Sequence, residues 1–216
     1  MAVGALALVV ALLSLWFGGM AAWGDAKALS ARWLVAEWRE GRGPAFSPDV
    51  WVQTRDQLRS AVLTTPDNPQ LYDDLGYLHA ARAQAMGVTE PGSIVQGYQL
   101  KLLDEAIVQY RTAAQLRPTF PYSWAYLAMA KELRGQPDDE MWLAFDKAMH
   151  FGATESAIRT VLAQIAFAHW KPLTPERKAA IQRMLADTPL EPRQRLLDIA
   201  KLNALLPSEL LQQVAP

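Results

Sequence analysis

The first 24 residues of the chain carry no charged side chain. From Ala2 to Trp23 the run is apolar, with Ser14 its one clearly polar position. A helix over residues 2–23 would span roughly 33 Å, enough for a hydrocarbon core about 30 Å thick. Trp16 and Trp23 are suited to an interfacial belt. The pattern then turns amphipathic. Leu29, Trp33, Val35 and Ala36 alternate at helical spacing with Arg32, Glu37 and Arg39, and Gly41-Arg42-Gly43-Pro44 breaks the run. Beyond the break the spacing predicts helices over 48–64, 69–86, 99–117, 121–135, 138–150, 154–170, 175–187 and 192–205, with a short one near 208–214. Ser47-Pro48, Asn68-Pro69 and Thr174-Pro175 each place a capping residue before a proline that needs no N–H, and Asp138 caps another start. No stretch alternates with the period of a strand, so an all-α fold is expected. The pattern divides the chain into a transmembrane anchor at 1–24, a helical stalk and linker at 25–47, and a helical domain at 48–216.

Within that domain a large apolar residue recurs beside a small one. The pairs are Leu75-Gly76, Leu127-Ala128, Leu162-Ala163 and Ile199-Ala200. Around the first pair the chain reads Tyr72-x2-Leu75-Gly76-x2-His79, then Ala106-x3-Tyr110-x2-Ala113 and Pro118. This resembles the tetratricopeptide (TPR) pattern, in which each helical hairpin buries its apolar face only by stacking on the next. Leu75 and Leu127 stand 52 residues apart, and 18 of those lie in an extended first hairpin. The remaining 34 equal the tetratricopeptide period. Leu127 and Leu162 are 35 apart. The match weakens along the chain: Lys131 stands where an aromatic is usual, and Asp187 where a small residue is. The resemblance implies an α-solenoid of TPR-like hairpins following one N-terminal transmembrane helix. It predicts Gly76 against the helix bearing Ala106 and Tyr110. On the concave face it implies partner-binding positions at Tyr72, His79, Tyr126 and Lys131. The hairpin's extra length includes a loop over 87–97, with Ile94, Val95 and Tyr98 in or beside it as apolar docking candidates.

Composition removes several function classes. Lys plus Arg total 21 and Asp plus Glu 22, so no basic excess points to nucleic acid. There is no cysteine, which excludes disulfides, thiolate metal sites and a cysteine nucleophile. No H-E-x-x-H, G-x-S-x-G, Walker loop or G-x-G-x-x-G occurs. His79, His150 and His169 fall on different predicted helices. Asp138, Asp139 and Glu140 sit where a helix dipole accounts for them. No catalytic, cofactor-binding or metal-binding residue is assigned, and a protein that binds rather than turns over substrate is expected.

The apolar segment, Ala31-Arg32-Trp33-Leu34-Val35-Ala36-Glu37-Trp38-Arg39, and Thr65-Pro66-Asp67-Asn68-Pro69 with Leu75-Gly76 together resemble the VpsP-like proteins of bacterial exopolysaccharide loci. That resemblance implies a membrane-tethered scaffold in polysaccharide synthesis or export, bound to protein partners, on a single-pass span in a bacterial inner membrane. Two other classes stay open: an assembly factor holding apoprotein for c-type cytochromes, and a glycan-acting enzyme with an unrecognised site. Lys27, Arg32, Arg39 and Arg42 all follow the span, which favours a cytoplasmic domain by the positive-inside rule, yet long domains translocate regardless of charge. The side of the membrane is therefore left open. Gly18-x3-Ala22 has the small-x3-small spacing that can pair anchors as a homodimer.

Overall fold

The computed structural model describes residues 2–44, 46–203, 205 and 210; in the first helix the side chains of residues 2–9, 17, 20–22, 24 and 25 lie outside that description. The described residues form helices α1 (Ala2–Arg39), α2 (Pro48–Thr64), α3 (Pro69–Ala85), α4 (Ile94–Leu116), α5 (Pro121–Arg134), α6 (Asp139–Gly152), α7 (Ser156–Ala168), α8 (Pro175–Ala186) and α9 (Leu190–Leu202). No strand occurs among them, and the fold is all-α. The expected caps are made. Ser47, Asn68, Asp138 and Thr174 accept backbone N–H bonds at the starts of α2, α3, α6 and α8. The short helix expected near 208–214 lies outside the described residues except for Leu210, which is helical and buried.

Helix α4 starts at Ile94, earlier than the expected 99, so the connection after α3 is shorter than 87–97. Ser93 accepts from the Gln96 N–H at 3.1 Å, and Gln96 reaches back to the Gly92 N–H at 2.6 Å. This is a capping arrangement of the S-x-x-Q kind, and it carries the helix across Gly97. Ile94, Val95 and Tyr98 are exposed on its first turns. Among the described residues no helix is long and apolar enough to cross a membrane.

Two compact units divide the chain at 116/117, inside the stretch expected as one domain over 48–216. In the first, α1 packs on α2 and α3, and α3 packs chiefly on α4. The residues expected as a stalk join this core: Ala28, Ala31 and Val35 are buried together with Trp51, Leu58, Leu71 and Leu78. In the second, α5 pairs with α6, and α7 packs on α5, α6, α8 and α9. Phe145, Ile158, Leu162, Ile165, Ile181 and Leu185 are fully buried there. Gly135, in the left-handed region at φ 73°, ends α5; its N–H and that of Gln136 close on the carbonyls of Glu132 and Lys131.

The two units share local devices at a separation of 52 residues. The Tyr72 hydroxyl donates to the Pro66 carbonyl at 2.8 Å, and the Trp124 indole donates to the Pro118 carbonyl at 2.9 Å. Each bond ties an aromatic in the first helical turns to the segment entering the helix. Three residues on, Leu75-Gly76 and Leu127-Ala128 are buried. At Gly76 an added Cβ would lie 2.7 Å from the Tyr110 ring, so the expected contact between these helices is present and admits no side chain.

Gly76→Ala should therefore overpack the α3–α4 seam and cost about 1–3 kcal/mol. Gly97→Ala provides the control, because a Cβ there meets nothing within 4 Å. That helical site should gain up to about 1 kcal/mol. Thermal melts of the two variants should move in opposite directions; an unchanged melting temperature for Gly76→Ala would contradict the packing.

Candidate functional site

The four partner-binding positions read from the sequence differ in burial and in bonding. Tyr72 is half-buried with its hydroxyl engaged on Pro66. Burial and then the charge of Asp67 raise its phenol above the ordinary value. His79 and Lys131, which stand 52 residues apart, are each only 3% exposed. Tyr126 presents a partly exposed ring, against Tyr122 at 6.2 Å. Tyr72 and His79 belong to the first unit, Tyr126 and Lys131 to the second.

His79 meets the edge of Trp51 at 5.6 Å, and the Trp51 indole donates to the neighbouring Leu78 carbonyl at 2.9 Å. Neither imidazole nitrogen has a hydrogen-bond partner among the described residues. Burial, followed by the positive charges of Arg59 and Arg55, lowers its pKa to about 4. It serves as a neutral packing ring in the α2–α3 seam. Lys131 solves the same problem with charge. Its ammonium pairs with Asp138 at 2.8 Å and Glu140 at 2.6 Å, linking the end of α5 to the start of α6. Burial works against that charge, yet the two carboxylates outweigh it and its pKa is raised.

A second buried charge fixes α1 to the first unit. Asp74 is 2% exposed. It meets Arg39 at 2.9 Å and Arg32 at 3.7 Å, and accepts from Gln70 at 3.0 Å. Arg39 also donates to the Asp73 carbonyl at 3.0 Å and lies over the Tyr77 ring. Burial raises the Asp74 pKa despite these cations. Removing one partner of such a pair typically costs about 3–5 kcal/mol, so these arginines act structurally.

The face best built for contact lies on α5, α7 and α9. Arg117 stacks over Phe120 at 3.9 Å, Phe120 neighbours Tyr122 at 5.4 Å, and Tyr122 neighbours Tyr126. All three aromatics are partly exposed. The Tyr122 hydroxyl donates to Glu155 at 3.3 Å. Burial and then Glu155 raise the Tyr122 pKa. Glu155 stands at the N-cap of α7 but makes no side-chain capping bond. Beside it a cleft of about 190 Å³ opens between α7 and α9, lined by Ser156, Arg159, Thr160, Pro192, Arg195 and Leu196. Arg159 is held by a bond from its Nε to the Ala153 carbonyl at 2.6 Å, and Arg195 pairs with Glu191. Tyr122 reaches Glu155 at the start of α7, and the next residue, Ser156, lines the cleft. Tilted aromatic rings near cationic, hydroxyl and apolar walls suit an extended or helical peptide segment. The sequence reading named Tyr126 as a candidate and did not name Tyr122, although their i, i+4 spacing at a proline-started helix was the available signal.

The remaining polar contacts in this unit hold helices together. His169 meets Glu132 at 2.6 Å and the edge of Trp142 at 5.6 Å. Arg177 clasps Asp146 at 2.8 and 2.9 Å while stacking on Trp142. Among the described residues no three His, Asp or Glu side chains converge to hold a metal ion. No protein-family model matches the chain, and no curated protein matches it significantly.

The seam around His79 has a pH signature. Its folded pKa lies below the ordinary 6.5, so the native state favours the neutral ring. The stability this contributes is complete above pH 6.5 and is lost as pH falls towards about 4, amounting to about 3 kcal/mol. His79→Phe should flatten the stability–pH curve over that window in denaturant melts. An unaltered slope would show that the ring does not control it.

Proposed function

We propose that this protein is a membrane-tethered, TPR-like adaptor that captures a protein segment within a bacterial exopolysaccharide synthesis or export machine, without turnover of its own. The observation that carries the reading is the partly exposed Tyr122–Tyr126 face beside the Arg159–Arg195 cleft. It offers aromatic, cationic and hydroxyl groups for binding. The recurrence of the aromatic–proline bond and the Leu-small pair at 52 residues supports a repeat origin for the helices. The resemblance of Ala31–Arg39 and Thr65–Pro69 to VpsP-like proteins supplies the pathway.

The tether is the uncharged run over 2–23. Leu12, Leu15, Trp16 and Trp23 are exposed on an α1 that continues without a break to Arg39. An apolar helix in that state suits lipid better than water. Because α1 also enters the core of the first unit, the tether would hold that unit rigidly, without a swivel.

Deleting the gene should reduce surface polysaccharide. Tyr122→Ala with Tyr126→Ala should weaken capture of envelope proteins in cross-linking pull-downs and lower polysaccharide by a similar factor, with helical content retained. Loss of cytochrome c with normal polysaccharide would favour a haemoprotein assembly role instead. A single carboxylate substitution that abolished polysaccharide in a folded protein would favour an enzyme.

The tether has its own test. Full-length protein should resist carbonate extraction from membranes and keep residues 2–23 at its mature N-terminus. Recovery of a chain starting near Asp25 would indicate a cleaved signal.

A further inference from the structure

Arg159 is a wall common to two clefts of the second unit. The first opens between α7 and α9; the second, of about 350 Å³, is bounded by the end of α6, the turn after it and α8. Leu196 and Ile199 line the first, and Met149 and Met184 the second, so each has an apolar side. Methionine, being unbranched and flexible, fits its shape to what it meets. Among the described residues no Phe, Tyr or Trp lines either cleft. Neither therefore offers a ring face on which a sugar or a nucleic-acid base could stack.

The charge of the walls is mostly of one sign. Arg159, Arg183 and Arg195 line the clefts with His150, and the one carboxylate among the lining residues, Asp187, makes no ion pair with them. Arg159 is half-buried, and the bond from its Nε to the Ala153 carbonyl pins the guanidinium. Its two Nη groups donate to nothing among the described residues. Arg183 is exposed on α8 and has no hydrogen bond or ion pair among them either. Arg195 pairs with Glu191, but the two side chains are 72% and 82% accessible. So exposed a pair contributes little, and an incoming carboxylate can take the place of Glu191.

We propose that the segment captured by the second unit is an acidic peptide, with its carboxylates on Arg159 and Arg183 and its aliphatic side chains against Met149, Met184 and Leu196. This partner chemistry rests on the adaptor reading of the Tyr122–Tyr126 face. A guanidinium fixed at Nε with both Nη groups open can hold the two oxygens of one Asp or Glu side chain. The apolar sides of the clefts separate such a peptide from a purely polar anion, which would leave them uncovered. An alternation of acidic and aliphatic residues meets both wall types, because successive side chains of an extended segment point to opposite sides.

Full-length protein in mild detergent can be tested on an array of octapeptides in which leucine or methionine alternates with Glu, with Lys or with Ser. The Glu series should be retained in preference to the other two. Followed by fluorescence anisotropy, a retained Glu peptide should bind more weakly as salt rises. Arg159→Gln should weaken it about tenfold and Arg183→Gln about threefold, as loss of a partly buried and of an exposed charge-assisted bond would. Arg82→Gln, an equal change of charge in the first unit, should leave binding as it was. Arg183 makes no bond in the fold, so its variant remains informative if Arg159→Gln fails to fold. Equal retention of the three series, or a Kd unmoved by Arg183→Gln and by any folded Arg159 variant, would overturn the proposal. Binding of an oligogalacturonate with no Glu peptide retained would overturn the peptide in favour of an acidic glycan. If the Glu series fails while Tyr122→Ala with Tyr126→Ala still abolishes capture of envelope proteins, the acidic chemistry falls and the adaptor reading stands. If wild-type protein captures no envelope protein at all, the adaptor reading falls and takes the acidic partner with it.

Discussion

Each unit closes around a glycine that leaves no room for a Cβ. In the first, Gly76 presses its backbone against the Tyr110 ring; in the second, Gly152 lies where an added Cβ would be 2.5 Å from Pro121. Such contacts set how near two helices can run, and every larger side chain around them is sized to that spacing. Leu75, Ala106 and Ala113 fill the space beside the first contact, and Phe145, Ala148 and Ile158 are buried in the second unit. Interiors packed this closely resist an extra methyl group about as strongly as a missing one. The recurring Leu-small pairs record that constraint in the chain.

Buried polar residues show how differently one position can be used. His79 and Lys131 occupy equivalent places 52 residues apart, and both are enclosed. In the first unit the ring is neutral and packs on Trp51. In the second, an ammonium is tolerated because Asp138 and Glu140 surround it, with Asp138 also capping α6. The first solution makes stability depend on proton concentration between pH 4 and 6.5. The second ties the fate of a turn to an ion pair. Neither leaves the side chain free to meet a partner.

Helix α1 links the uncharged segment to the first unit. Arg39 and Arg32 converge on Asp74.

The sequence by itself determined the helices and their starts, because caps, prolines and apolar spacing are local signals. Ser47, Asn68, Asp138 and Thr174 perform the roles their positions implied, and Gly76 faces Tyr110 as the Leu-Gly pair required. The start of α4 was misplaced because glycines and a proline suggested a longer loop, while the Ser93–Gln96 cap was overlooked. Which polar residues face solvent was not legible. A helical pattern marks one apolar face, but burial of His79, Asp74 and Lys131 depends on helices distant in sequence that supply Trp51, Arg39 and Glu140. The same holds for residues 25–39. Their amphipathic spacing suited a stalk, and only the packing of α1 on α2 and α3 makes them core. Local periodicity sets what an element is; the partner it finds decides which of its faces remains available for function.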